Sequence, residues 1–312
     1  MLLIESDTKI STFRREVIAT LRQYHTKSVA TNPHPQKYRK GTAMNRLTDF
    51  HTHTNLCDGK DSPRRMIETA LSLGFSAYGF SGHSVSPFVG TGAMSEENEK
   101  KYIEEVLTLK DEYRGRIDIH LGIEQELLSD RTTAPYEYVI GSVHVIKTPC
   151  GFRPIDLRPE NITDLLAECY GGDFETLAED YFRHVASIPE RMNASVIGHI
   201  DLLSKFCDRL PLTFGERYYA AAFDTVDRLI PYGIPFEINV GAITRGYRTT
   251  PYPDTKILSY IKQKGGSIMI NGDTHSAAAL GKYLDMAEAL AISCGFTERL
   301  VIAKGGYEKL PL

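Results

Sequence analysis

What the chain lacks narrows the field first. No two cysteines form a C-x-x-C pair, and the five present (Cys57, Cys150, Cys169, Cys207 and Cys294) are an odd number. Neither a disulfide framework nor a structural zinc ribbon is therefore expected. No apolar run approaches the length that spans a bilayer. The opening MLLIESDTKISTF carries acid where a secretory signal carries positive charge, and its apolar run is short. Charge of one sign is not in excess either: acids and bases are mixed and the formal net charge is −4. That gives no long-range pull towards nucleic acid or anionic lipid, so a duplex-binding role is disfavoured and no membrane partner is expected. The expected compartment is the reducing cytoplasm. No internal repeat appears at any fixed period.

What is present fits a soluble globular protein with a sizeable core: 312 residues, 42% hydrophobic and 24% charged. Residues 1–43 differ from the rest. TKISTFRREVIATLRQYH has a short amphipathic pattern with Phe13, Val17, Ile18 and Leu21 on one side, and TKSVATNPHPQKYRKGTA reads as a linker or disordered arm. The functional domain is expected to begin near Met44 and run to residue 312, with His25 and His34 in the leader incidental.

From Met44 onward, short β-like runs alternate with helical patterns. SPRRMIETALSLG has an apolar stripe of Met66, Ile67, Ala70, Leu71 and Leu73, a Ser62–Pro63 start and a Gly74 stop. Further strands are read in SAYGFSGHS, IDIHLGIEQELL, YEYVIGSVHVI, SVIGHIDLL, IPFEINVGAI, SIMINGDTH and a last RLVIA. Residues 150–192 form a less regular, partly helical insertion. Seven or eight strands joined mostly by helices predict a parallel α/β sheet, closed or nearly closed as a (β/α) barrel.

The stretch DFHTHTNLCDG puts His51 and His53 on one face of an extended segment, with Asp58 close behind. His83, Glu124, His144, His199, Asp273 and His275 then fall at the ends of successive β-runs. In a parallel barrel those ends gather on one face, where such folds keep their chemistry. Taken singly, each has an ordinary alternative: Asp58 as a helix cap, Glu124 as a surface acid beside Glu126, a strand-end histidine as a hydrogen-bonded structural residue. Together they make nine candidate ligands, His51, His53, Asp58, His83, Glu124, His144, His199, Asp273 and His275. An ion takes about four to six ligands, so the set implies two or three divalent ions with Glu124 as the natural bridge. Imidazole and carboxylate without thiolate suit zinc, iron or manganese. Cys57 is read as a bystander, and His120 and His184 as structural.

DFHTHTNLCDGKDSP, FSGHS, GIEQEL, GSVH, GHIDLLSKF, EINVGAI and GDTH resemble, in order and spacing, the signature of the polymerase-and-histidinol-phosphatase (PHP) family of metal-dependent phosphoesterases. HTHTNLCDGKDSP, together with EIN ahead of PYP, is most similar to its monofunctional histidinol-phosphatase branch. The resemblance implies a distorted (β/α)7 barrel holding three metals. His51, His53, Glu124 and Asp273 would bind the first, Glu124, His144 and His199 the second, and Asp58, His83 and His275 the third. It also implies basic residues for phosphate, with Lys205, Arg245 and Arg248 the candidates. One departure stands out: Gly82 occupies the place of an acid that the branch often has before the third-metal histidine.

The expected reaction is hydrolysis of L-histidinol phosphate to L-histidinol and phosphate, by in-line attack of a hydroxide bridging two metals about 4 Å apart. His83 or Asp273 would protonate the leaving alkoxide. The expected partner is this small phosphate ester; oligomeric state is left open. Rival readings are another phosphoesterase (sugar or nucleotide phosphatase, phosphotyrosine phosphatase, DNA-end exonuclease) or a non-catalytic metal-stabilised module. The lack of a basic, aromatic-rich stripe counts against the exonuclease.

Overall fold

A computed structural model describes residues 47–312 apart from Val89, Thr91 and Thr133. The helix read in the leader lies outside the described residues. Seven strands form one sheet in the order β1 (Leu47–Asp49), β2 (Phe75–Phe80), β3 (Asp118–Glu126), β4 (Tyr138–Ser142), β7 (Val196–Ile197), β8 (Phe236–Asn239) and β9 (Ile268–Asn271). Every pairing in it is parallel. β3 shows why: every residue after Asp118 is buried, as in a strand covered on both faces.

The sheet curls until its edges meet. Beyond β1 and β9, Thr52 and Thr274 form a parallel bridge. The His53 N–H donates to the Thr274 carbonyl at 2.8 Å, and the Thr274 N–H to the His51 carbonyl at 3.0 Å. Side chains finish the seam below: Asn271 Oδ1 accepts from the Phe50 N–H at 3.1 Å, and Asp49 Oδ1 from the Gly272 N–H at 2.9 Å. Burial pushes the Asp49 carboxyl up to about 7 even though the Gly272 and His51 N–H groups and the His51 ring oppose it.

Helices cover the outside. The first, α1 (Pro63–Leu73), starts on a Ser62 cap that accepts from the Arg65 N–H and ends on Gly74 at φ 82°, a left-handed position that favours glycine. It buries Met66, Ile67 and Ala70 against the sheet side of the fold. Then come α2 (Glu96–Glu112), α3 (Pro159–Cys169), α4 (Phe174–Ala186), α5 (Glu216–Leu229), α6 (Thr255–Gln263) and α7 (Leu284–Ser293). As expected, no helix separates β3 from β4. Among the described residues, no helix is long and apolar enough to cross a membrane.

Three expectations change. The YEYVIGSVHVI run breaks at His144: β4 stops at Ser142, and β5 (Val145–Thr148) leaves the sheet to pair antiparallel with β6 (Gly151–Pro154). The final run is no eighth parallel strand. It forms an antiparallel hairpin, β10 (Glu298–Ala303) with β11 (Gly306–Pro311), because a tight Lys304–Gly305 turn, with Gly305 at φ 84°, folds it back. Val301, Ile302 and Leu310 of this hairpin join Phe50, Tyr138, Ile140, Val196 and Met269 in one apolar cluster. Finally, Cys150 beside the β5–β6 turn is paired with Cys169 at the end of α3 as a disulfide, which the odd cysteine count gave no reason to expect.

Tyr138 braces the interior. Its hydroxyl donates to the Phe50 carbonyl at 2.7 Å and lies 3.0 Å from that of Phe80, tying β4 to the ends of β1 and β2. The ring lies against Gly79 and Gly122, where any Cβ would collide with it. Gly122→Ala is expected to cost about 1–3 kcal/mol by overpacking. Tyr138→Phe is expected to cost about 1–3 kcal/mol through the carbonyl left without a donor. Both should lower the urea midpoint of unfolding; an unchanged midpoint for Gly122→Ala would mean the ring has room to yield.

Candidate metal centre

Eight of the nine predicted ligands sit at or just beyond the carboxyl end of a strand, and the curled sheet brings them to one rim. His51 and His53 follow β1, His83 follows β2, Glu124 lies in β3, His144 follows β4, His199 follows β7, and Asp273 and His275 follow β9. Asp58 arrives from the turn before α1. The structure gathers all nine.

Glu124 is the hub, and it is 1% exposed. Its Oε2 lies 2.9 Å from His83 Nδ1, 3.2 Å from His51 Nε2 and 3.5 Å from His53 Nε2. Its Oε1 lies 3.0 Å from His199 Nε2 and 3.4 Å from His144 Nε2. Asp273 Oδ1 is 3.3 Å from His53 Nε2. On the more open side, Asp58 Oδ2 is 3.1 Å from His275 Nε2 and 3.6 Å from His83 Nε2. The rings of His53 and His275 stack at 4.0 Å between centroids.

Four sets offer ligand atoms that all lie within 4.8 Å of one another. They are His53, Asp58, His83 and His275; His51, His199 and Asp273; His51, His53 and Glu124; and His83, Glu124 and His144. His51 Nε2, His53 Nε2, Glu124 Oε2 and His199 Nδ1 are buried without a hydrogen-bond partner. Buried polar atoms are normally satisfied. Three of the four converge on the space around Glu124, so the residues present fit divalent cations, and the donor chemistry is that of zinc, manganese or iron.

Two carboxylates that the sequence reading left without a role hold the ring of ligands. Glu237, in β8, accepts from His51 Nδ1 at 2.7 Å and from the His199 N–H at 2.9 Å; Asn239 and Asn271 fix it through their amides at 2.9 Å. Glu126 Oε2 accepts from the His144 N–H at 2.8 Å and lies 3.1 Å from its Nδ1. Such contacts set a histidine's tautomer and aim. A signal existed for Glu126: two residues after Glu124 on a strand, it points to the same face. Asp273 has φ 47°, an unusual conformation for a non-glycine residue, and Gly241 beside it leaves no space for a Cβ.

The remaining candidates are placed as follows. Arg245 reaches the rim: one amino group is 2.9 Å from Asp273 Oδ2 and the other 3.3 Å from His275 Nε2. Lys205 is buried, its Nζ donating to the Asp156 carboxylate and carbonyl at 2.8 and 2.7 Å. Arg248 is buried in a separate network, donating to Ser204, to Thr250 and to the Pro251 carbonyl, over the ring of Tyr252. Cys57 lies closer than a bystander need be, with Sγ 3.7 Å from His53 Nδ1, although no ligand set includes it. Where the branch has an acid, Gly82 is packed against Cys57 and Tyr102, and Glu124 supplies the contact to His83 Nδ1. His120 packs on Phe50 beside Glu137, and His184 accepts the Lys147 N–H, both apart from the cluster.

A profile of the PHP domain matches residues 49–241. The chain belongs to the PHP domain family. Two relatives share 27% identity with it: the probable histidinol-phosphatase of Schizosaccharomyces pombe, over 77% of this chain and 83% of the relative, and the histidinol-phosphatase of Bacillus subtilis, over 75% and 95%. The crystal structure of the Lactococcus lactis histidinol phosphate phosphatase, solved with zinc, L-histidinol and phosphate, has the same fold. It superposes with a TM-score of 0.65 at 20% identity, covering 84% of this chain and 99% of that one.

Charge in this PHP domain is balanced internally. Burial opposes protonation of His51, but Glu237, Glu124 and Asp273 outweigh it and raise its pKa well above the ordinary value. Burial also opposes protonation of His144, and Glu124 and Glu126 raise it to about 10. Glu124 is held well below the usual carboxylate range by the surrounding imidazoles, against its burial. His275 is the exception: burial, His53 and Arg245 push it down to about 4. Without metal, His51 and His144 are therefore held as imidazolium beside carboxylates, and a cation has to displace their protons. Zinc or manganese binding should release protons and weaken as pH falls from about 8 to about 6. Calorimetry in buffers of different ionisation enthalpy reads this; pH-independent binding without proton release would contradict it.

Proposed function

We propose that this chain is a metal-dependent phosphomonoesterase that hydrolyses L-histidinol phosphate to L-histidinol and phosphate, serving histidine biosynthesis in the cytoplasm, with residues 44–312 as its catalytic unit. The observation that carries it is the Glu124-centred rim of histidines and carboxylates with Arg245 at its edge, in a chain whose relatives are named histidinol-phosphatases along most of their length.

In this reading the first ion is held by His51, His53, Glu124 and Asp273, the second by Glu124, His144 and His199, and the third by Asp58, His83 and His275. The zinc of the Lactococcus lactis structure favours zinc among the metals the donors suit. When bound, the ions supply Lewis acidity, lowering the pKa of water and neutralising phosphoryl oxygens.

The chain's own residues do the rest. Glu237 and Glu126 keep His51 and His144 aimed, so the rim needs little reorganisation when substrate arrives. Arg245, with Asp273 fixing one of its amino groups, presents a cation to the phosphate, and Lys205 adds a second. Water adds to phosphorus as the P–O bond to the leaving alkoxide breaks. His83, whose side chain is 13% exposed, or Asp273 relays the proton released by that water to the alkoxide. The L-histidinol of the Lactococcus lactis structure supports the substrate assignment.

Phosphate release from L-histidinol phosphate, compared with sugar phosphates, nucleotides and phosphotyrosine, tests the reading. We expect a preference of about a hundredfold in kcat/KM, or about 2.7 kcal/mol; equal, weak hydrolysis of the whole panel would defeat it. His144→Ala is expected to lose essentially all turnover while its circular dichroism stays that of the wild type. Near-normal turnover in that variant would defeat the metal-centred mechanism.

A further inference from the structure

The β5–β6 hairpin returns the chain to the rim it left. Val145 pairs with Pro154, and the Ile155 N–H donates to the His144 carbonyl at 3.0 Å, so the next residue, Asp156, emerges beside a ligand. There it takes Lys205, which is 5% exposed and lies 5.4 Å over the Tyr247 ring. Two of the three ammonium donors go to Asp156, one to its carboxylate and one to its carbonyl.

We infer that Asp156 is the positioning residue that fixes the Lys205 ammonium for phosphate, leaving one donor to meet a phosphoryl oxygen. This rests on the phosphatase reading above. It also gives a role to the start of the 150–192 insertion, which no family motif explains.

Two physical arguments favour positioning over obstruction. A lysine ammonium is a point charge on a flexible stem rich in rotamer entropy, and anchoring it beforehand removes that cost from phosphate binding. A buried ammonium without a partner is also strongly penalised. Against this, the Asp156 carboxylate repels a dianion. The Lys205 ammonium, 2.8 Å from that carboxylate, offsets its charge.

The test is a double-mutant cycle on the metal-loaded, full-length chain, read as affinity for inorganic phosphate by calorimetry. Asp156→Asn and Lys205→Ala should each weaken phosphate binding about tenfold or more, and the double variant should be within about twofold of Lys205→Ala. On L-histidinol phosphate, Asp156→Asn should raise KM about tenfold with kcat within about threefold, as for contacts made equally in ground and transition states. Phosphate binding by Asp156→Asn as tight as wild type or tighter would overturn the inference. So would losses that multiply in the double variant, since a merely structural Asp156 would act without Lys205. If Asp156→Asn does not fold, Asp156→Glu, which displaces the charge by one methylene, goes through the same cycle with the same criteria. Wild-type protein that binds phosphate but leaves L-histidinol phosphate intact would defeat the functional reading alone, and wild-type protein that binds no phosphate would overturn both.

Discussion

A carboxylate cannot be taken out of water for nothing, and Glu124 is almost wholly out of water. Five imidazoles converge on its two oxygens. Much of the architecture answers that one requirement. Strands from opposite sides of the sheet must curl until His51 and His199 can face the same anion. The seam between β1 and β9 must hold them there, and Glu237 must pin both from behind. Remove the central charge and the histidines lose the reason for their alignment as well as a ligand.

The stiffness of this arrangement comes from below the rim. Tyr138 links three strands through one hydroxyl, and Asp49 and Asn271 pair the backbones of the first and last strands of the sheet with side chains. His51 and Asp273 stand two residues beyond Asp49 and Asn271. A loop excursion, the β5–β6 hairpin, brings Asp156 to Lys205.

Much of this was legible in the sequence, for identifiable reasons. Ligand residues at strand ends follow from period-two alternation and the polarity of a parallel barrel, which need no knowledge of contacts; α1 was readable from Ser62, Pro63 and Gly74 because capping is local chemistry. What escaped was non-local. Nothing around Asp156 says that Lys205, 49 residues away, will meet it. Arg248 carries the same charge as Arg245 three residues earlier, yet Arg245 turns to Asp273 at the rim and Arg248 to Ser204, Thr250 and Pro251. Cys150 and Cys169 offered no recognisable spacing, and Glu237 resembled any strand glutamate until His51 was beside it. The break at His144 was hidden because VIGSVHVI continues the β pattern straight through it.

The seam has a temporal meaning. Asp49 and Gly272 are 223 residues apart, and the seam bonds between them and their neighbours are among the longest-range contacts in the chain. Contacts of that separation form late, because so much chain must be ordered first. A growing polypeptide therefore carries His51 and His53 for most of its synthesis with no opposite wall to complete their pocket. Only when β9 docks do Asp273 and His275 arrive, the last of the nine candidate ligands to be made. An ion held between the two edges would act as a latch on the closed ring.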